Sequence, residues 1–410
     1  MPIGVFVLAA AVFAQGTSEF MMSGLLARTA TDFGVSLGTV GLLTSVYAVG
    51  MVLGAPTMAA TAGRWPLRRS ATTFLALFCV THIVGAVTTD FAVLVATRAV
   101  AAVANAGFLA IALAALPRLV GPALVGRATS VIVSGVTVAC IAGVPAGTLL
   151  GQLWGWRSAF WAVAVVSAVV LVPVASMVPR DGAGVGASDR SMRSEWAVLG
   201  VREVRSAVVV GVLVNAATFA AFTYLGTIAA AIAGTTGVWV PLVLALFGLG
   251  SFVGVALTGR YSDRHGRAII TVGTAGLVGV WALAAMTAHT MAGVTVMTLL
   301  TGAAAFGVGS ALIATIVRTA APAAPRLAGA LATTALNIGA VLGPVAAGLA
   351  VDRAHTPVAA LWCAAGAAAV AAVIVLFDRP GSPRGRSRGT VSDSPSEEAS
   401  GGRWTHRRWS

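Results

Sequence analysis

The chain has 410 residues, of which 58% are hydrophobic and only 10% charged, and its mean hydropathy is +0.93. Soluble domains carry about a quarter charged residues, so this composition excludes an ordinary soluble protein and places the chain in a bilayer. The net charge of +13 rests on arginine alone: all 26 basic residues other than histidine are Arg, against 13 acids.

A helix needs about 20 apolar residues to cross the hydrocarbon core, which leaves room for roughly twelve spans, short loops and a tail. Spans are predicted near residues 3–27, 37–61, 70–89, 91–116, 127–153, 158–178, 206–233, 238–259, 268–288, 290–317, 327–351 and 355–377. Met1–Gln15 is apolar enough for a signal core, but no positive residue precedes it and the pattern runs on to Leu26, so it reads as the first span. Cys79, Cys140 and Cys363 stand alone in separate predicted helices, a pattern of packing residues rather than of a disulfide framework or metal site.

With the N-terminus in the cytoplasm, the inner loops hold fifteen arginines and the outer loops three, Arg28, Arg157 and Arg353. That asymmetry predicts both termini inside and an even number of spans. Residues 1–178 then form one six-helix bundle, 179–205 a polar cytoplasmic linker, 206–377 a second bundle, and 378–410 a basic, Ser- and Pro-rich tail expected to be disordered. Three landmarks recur at a spacing of 200 residues: Arg64 with Arg264, Gln15 with Asn215, and Gly143–Gly147 with Gly343–Ala347. The expected fold is therefore all-α and integral to the membrane, with twelve helices in two pseudo-symmetric bundles.

Polar residues inside apolar runs carry the chemistry. Gln15, Glu19 and Met22 share one helical face by their spacing of four and three. An acid within a span is a functional candidate by default, because it takes up and releases a proton as its surroundings change; a static, hydrogen-bonded carboxyl is the bland alternative. Asp32, beyond this apolar run, reads as a solvated loop residue. Arg98 in the fourth span keeps its proton and needs a carboxylate, carbonyls or a wet cavity, unless it snorkels to the outer interface. Asn215, Phe219 and Phe222 repeat the spacing of the first-span face, so an acidic and an aromatic face are expected to meet at the midplane around a mostly apolar ligand. Tyr47, Asn105, Phe108, Tyr224 and Asn337 are further candidates for that lining.

The densest charge lies at Gly259-Arg260-Tyr261-Ser262-Asp263-Arg264-His265-Gly266-Arg267, between two apolar runs. Gly259 would permit close helix contact, Asp263 would face the positive end of a neighbouring helix, and Arg264 and Arg267 would bond carboxylates. This stretch resembles the cytoplasmic loop signature Gly-x-x-x-Asp-Arg-x-Gly-Arg of the major facilitator superfamily. The resemblance implies a latch made of Gly259, Asp263, Arg264, Gly266 and Arg267, echoed by Gly63 and Arg64. The echo departs from the pattern, with Gly63 in place of Asp, Pro66 in place of Gly and Leu67 in place of a basic residue.

Gly135, Gly143, Pro145, Gly147 and Gly151 resemble the fifth-span signature of that superfamily's antiporters, in which small residues allow close packing and proline bends the helix. Arg98 is similarly placed to the antiporters' fourth-span arginine, although Ala101 and Ala102 replace the Gln-Gly that often follows. Further stretches, Phe13–Leu26, Leu42–Pro56, Asn105–Ala114, Trp156–Trp161, Thr218–Leu225, Phe247–Arg267 and Ala335–Pro344, extend the likeness over most of residues 1–377. The sequence looks like the twelve-span drug:proton antiporters, and among them the actinobacterial chloramphenicol-resistance exporters.

The resemblance implies proton-coupled drug efflux across a bacterial inner membrane, by a monomer with no cofactor, with protons, a small drug and lipids as its partners and no nucleic acid. No Gly-x-x-x-x-Gly-Lys-Ser/Thr loop occurs that would point to ATP as the energy source. A sugar or metabolite exporter on the same fold, and a non-transporting receptor or scaffold, stay open. An intramembrane enzyme fits least, since the five histidines show no metal or triad spacing.

Overall fold

Apolar runs of this length become helices because the bilayer core offers the backbone no other hydrogen-bonding partner. The computed structural model describes residues 1–61, 66–120, 124–178, 196–233, 238–324 and 327–378, with some side chains, those of 55–61 and 262–265 among them, outside the description. Among the described residues, twelve helical stretches are long and apolar enough to cross a membrane, with hydropathies of 1.5 to 2.4.

The first half comprises α1 (Ile3–Phe20), α2 (Met22–Phe33), α3 (Leu37–Thr61), α4 (Leu67–Val87), α5 (Phe91–Val120), α6 (Val125–Val138), a π-helical segment (Ala139–Gly143), α7 (Val144–Trp154) and α8 (Arg157–Met177). A 3-10 turn at Trp196–Gly200 leads into the second half: α9 (Arg202–Ala233), α10 (Trp239–Thr287), α11 (Met291–Ala320), α12 (Leu327–Ala354) and α13 (Ala359–Phe377).

Four predicted boundaries change, each for a local reason. The span 3–27 divides into α1 and α2 where Gly24 N–H bonds the Met21 carbonyl, 3.1 Å away, and the Ser23 hydroxyl donates to the Phe20 carbonyl at 2.9 Å. The span 127–153 contains the π segment just ahead of Pro145. Proline has no N–H to continue the ladder, and Val144 N–H reaches back five residues to the Ala139 carbonyl. The charged stretch predicted as a loop between spans eight and nine is helical backbone, since α10 runs unbroken from 239 to 287. The chain nevertheless reverses within α10, because Thr258 packs at Gly307 and Gly273 packs at Val308, adjacent positions on α11. Finally, α9 begins at Arg202, inside the predicted linker; residues 179–195 and the tail from 379 lie outside the described residues.

Within the first bundle α4 packs on α5 and α8, α3 on α5, and α1 on α6 and α8; within the second, α9 packs on α12 and α13, and α10 on α11 and α13. Among the described residues the bundles meet mainly through three pairings: α2 with α9, α3 with α12, and the π segment and α7 with α10. They extend from the end of the molecule away from the chain termini, here called the distal end, to about mid-depth at Cys140 and Gly248. The apolar core divides accordingly. One cluster joins Leu25, Val40 and Tyr47 to Leu225, Leu244 and Val351 across the bundles. Toward the terminal end the core splits into a first-bundle cluster around Leu8, Phe108 and Val174 and smaller second-bundle clusters around Val204 and Ile316. The molecule is closed distally, and its core is divided at the terminal end.

Candidate functional site

Glu19 occupies the last turn of α1, half-buried, where that helix approaches the second bundle. Arg98, about two turns into α5, is close enough for its charge to act on Glu19, and the Asn105 side chain, two turns further along α5, adjoins the same carboxyl. Snorkelling of Arg98 is excluded: the residue is 1% exposed, its guanidinium carbon lies 4.2 Å from the Tyr47 ring centroid, and Nη1 donates to Ser18 Oγ at 2.7 Å. Asn105 Nδ2 in turn donates to the Tyr47 hydroxyl at 3.0 Å. Behind Ser18, buried His82 on α4 lies 2.6 Å from its hydroxyl through Nε2 and 2.7 Å from the Phe78 carbonyl through Nδ1.

The cluster is under-satisfied. Both amide atoms of buried Gln15, together with Nε and Nη2 of Arg98, have no hydrogen-bond partner. Each such group costs about 1–3 kcal/mol in desolvation when left unpaired. The remaining unpartnered atoms among the described residues are single hydroxyls and the Trp281 indole N–H. Unspent donors and acceptors are therefore concentrated on the same side of the first bundle as Glu19.

Phe219 and Phe222 come together with aromatic residues that sequence spacing did not supply. Phe20 of α1 stands 6.0 Å from Phe219 and 5.9 Å from Phe222 of α9, centroid to centroid, and Phe222 continues to Phe247 at 4.8 Å and Phe247 to Phe306 at 6.0 Å. Phe20, Cys140, Thr218 and these rings leave a cavity of only about 10 Å³ between them, far less than the roughly 300 Å³ at which drug-sized pockets begin. In this closed-distal arrangement the rings form a seal rather than an open berth.

Several predicted lining residues lie elsewhere. Met22 opens α2 and is fully buried in the cross-bundle core, beyond the break that separates it from the Gln15–Glu19 face. Phe108 belongs to the first bundle's own core, since α5 turns it toward Leu8 and Val174 rather than the midline. Tyr224 is wholly buried at the distal junction, its hydroxyl close to Gly41 and Gly348 and 3.5 Å from the Pro344 carbonyl. Asn215 staples α9 to α12 by donating to the Leu336 carbonyl at 2.6 Å, and Asn337 donates to Thr333 within α12 at 3.0 Å. Asp32 is not a free loop residue: in the last turn of α2 it accepts from Trp156 Nε1 at 2.9 Å and pairs with Arg157. Those two donors, Trp156 first, hold its carboxyl below the usual carboxylate range.

The glycine-rich fifth span packs against α1 and α2. A methyl group at Gly135 would stand 2.5 Å from the Ala9 carbonyl, one at Gly143 would overlap Thr17 and one at Gly151 would overlap Leu25, whereas Gly147 has ordinary spacing, 3.7 Å to Met21. In the charged stretch, Gly63, Arg64 and the side chains of Asp263 and Arg264 lie outside the described residues. Among the described residues, nothing lies within 4 Å of a methyl placed at Gly259, so none of them gives it a close helix contact. Gly266 adjoins Arg318, and Arg267 shares a basin with Arg202, Glu203, Arg318 and Asp378, all of the second bundle.

A clamp that the sequence did not announce closes the distal end. Asp352 of α12 accepts from the Ser36 hydroxyl at 2.8 Å and from Gly38 N–H, at the start of α3, at 3.1 Å. Ser45 of α3 also donates to the Val341 carbonyl of α12 at 2.9 Å. Ser18 and His82 were equally unannounced, although an imidazole deep in an apolar run gives the same kind of signal as Glu19.

Two related six-helix bundles with a polar cluster beside their junction define a multi-pass membrane transporter. The chain belongs to the Major Facilitator Superfamily, whose family model matches residues 8–333 and again 242–408. It is 44% identical over 378 residues to a chloramphenicol resistance protein of Streptomyces lividans, covering 92% of this chain and 96% of that one. It is 32% identical over 363 residues to the chloramphenicol efflux pump Rv0191 of Mycobacterium tuberculosis H37Rv, covering 85% of each. In fold it is similar to the crystal structure of the nucleoside transporter NupG (D323A mutant), with a TM-score of 0.76 at 14% identity over 91% of this chain and 98% of that one.

Proposed function

We propose that this chain exports chloramphenicol or a similar small amphipathic drug from the bacterial cytoplasm in exchange for protons, by alternating access across the inner membrane. The observation that carries the reading is the placement of Glu19 within charge range of, but not paired with, the buried, under-satisfied Arg98 beside the bundle junction. An acid next to a fixed cation has two stable conditions, ionised and paired or protonated and released. The likeness to the Streptomyces lividans protein supports the substrate class.

With both termini cytoplasmic, the distally closed arrangement is the inward-facing one. Drug enters from the cytoplasm toward Gln15, Glu19 and the aromatic rings of α9 while Glu19 gives up its proton. After the bundles rock, an external proton on Glu19 favours release of the drug. The charged stretch at Asp263, Arg264 and Arg267 latches the opposite, outward-facing state, and the glycine seam of α6 and α7 holds the first bundle rigid through the change. The proton gradient drives this without a cofactor, and the chain moves its substrate rather than transforming it. One charge crossing about 100 mV supplies about 2.3 kcal/mol, enough for roughly a 50-fold gradient of a neutral drug.

The test is chloramphenicol accumulation in cells expressing the protein, with and without an uncoupler. Accumulation should be low and rise to the level of non-expressing cells when the gradient collapses. Low accumulation that ignores the uncoupler would overturn proton coupling, and accumulation equal to that of non-expressing cells throughout would overturn export of this drug.

A further inference from the structure

The contacts of His82 have only one consistent arrangement of protons. The Phe78 carbonyl can only accept, so Nδ1 of the buried ring carries a hydrogen and donates to it. In the neutral imidazole this leaves Nε2 as an acceptor, and its neighbour at 2.6 Å, the Ser18 hydroxyl, must donate to it. The single Ser18 hydrogen is thereby committed, and the oxygen turns its lone pairs to Arg98 Nη1–H at 2.7 Å. A backbone carbonyl thus sets the direction of a chain that runs from Arg98 through Ser18 to His82. Phe78 and Phe160 flank the imidazole at 4.2 and 5.7 Å between centroids and exclude competing partners.

We propose that His82 and Ser18 are positioning residues for proton coupling: they anchor Arg98 by one nitrogen, so that its other donors stay available to Glu19. This rests on the coupling role given above to Glu19 and Arg98. The anchored guanidinium lies over Tyr47, and its Nε and Nη2 are the atoms without partners. The titratable side chains around it are Glu19 of α1, Tyr47 of α3 and His82 of α4, and Cys140 of the π segment lies near Glu19. The second bundle contributes Phe219 and Phe222 to this region, packed on Phe20, and neither ring titrates. Of these neighbours, Ser18 alone binds Arg98 through a hydrogen bond. Without that anchor the arginine would choose among the Tyr47 face, Gln15 and Glu19, and proton binding at Glu19 would no longer be tied to one geometry.

Proteoliposomes with an imposed pH gradient separate this from a packing role. Glutamine at 82 places an amide oxygen near the position of Nε2, whereas asparagine is too short to reach Ser18. His82→Asn and Ser18→Ala are expected to lower gradient-driven chloramphenicol efflux by about tenfold or more and to displace the pH of half-maximal efflux. Equilibrium drug binding should stay within about twofold of the parent, and His82→Gln should restore most of the efflux and the parental pH profile. A parental pH profile in both His82→Asn and Ser18→Ala would overturn the inference, as would equal losses in His82→Asn and His82→Gln. Should His82→Asn not fold, Ser18→Ala, which removes only one oxygen, decides alone. Glu19→Gln is measured alongside: if it retains gradient-driven efflux, the underlying coupling reading fails, whereas if it alone is uncoupled, only the positioning role fails.

Discussion

Glu19 lies in the first membrane crossing and Asp32 beyond its apolar run in the last turn of α2, and their surroundings differ. Among the described residues, Arg98 is the cation whose charge acts on Glu19, and the Asn105 amide adjoins its carboxyl; in the proposed coupling its charge state changes with conformation. Glu19→Gln keeps the shape and removes the proposed proton site, so the protein should purify folded while resistance to chloramphenicol is lost; undiminished resistance would end the coupling role. Asp32 is committed, since Trp156 and Arg157 stabilise its ionised form in the fold. A carboxyl whose folded pKa lies below its unfolded one stabilises the fold fully above the ordinary carboxylate range and loses that contribution as pH falls through the folded value. The pair is partly exposed, at 33% for Arg157 and 43% for Asp32, so screening holds its contribution to about 1 kcal/mol or less. Asp32→Asn should lower the thermal midpoint slightly at neutral pH, with the difference closing below about pH 4. A gap that persists at acid pH would show that packing rather than charge is responsible.

Glycines decide how the helices approach one another, and position separates two kinds. Gly143 faces Thr17 inside the first bundle, as Gly343 faces the Ala216 carbonyl inside the second, so the 200-residue echo corresponds to a repeated contact with each bundle's first helix or its counterpart, α9. Gly226 and Gly248 instead face the Ser23 and Cys140 carbonyls across the bundles. Backbone cannot yield to an added side chain as a flexible side chain can, and overpacking costs about 1–3 kcal/mol. Gly143→Val would overlap the β-branched Thr17 side chain within the first bundle and should lower the thermal midpoint of the purified protein. Gly226→Val should leave each bundle intact, prevent distal closure and stop transport, which accessibility of distal cysteines to a membrane-impermeant maleimide would register. Equal destabilisation by both variants would contradict the distinction. Asp352 follows a similar logic: a carboxylate near the C-terminal end of its own helix is locally unfavourable, but at the N-terminal end of α3 it is favoured. Its place is explained only by the partner bundle.

For the whole molecule, the state seen here depends on contacts that must break in every transport cycle. Cysteines replacing Ser36 and Asp352, introduced after Cys79, Cys140 and Cys363 are replaced, should form a bond on oxidation that holds the distal end shut and arrests efflux, with activity returning on reduction. Continued efflux by the cross-linked protein would mean that this end does not open. The membrane class, the twelve spans, the duplication and the acid within the first span were legible from residues 1–377 because hydropathy and spacing are properties of a single helix. The 410 residues by themselves also singled out Arg98, since a guanidinium in an apolar run needs a partner wherever the helix lies. Which partner it takes depends on helices distant in sequence: Ser18 lies 80 positions away and His82 a further helix behind it. The displacement of Phe108 and Tyr224 from the predicted lining, the helical backbone through the charged stretch and the clamp by Asp352 share one cause. Periodicity fixes which residues share a face, whereas the direction that face points, and which end of the two bundles closes, is set by packing between helices.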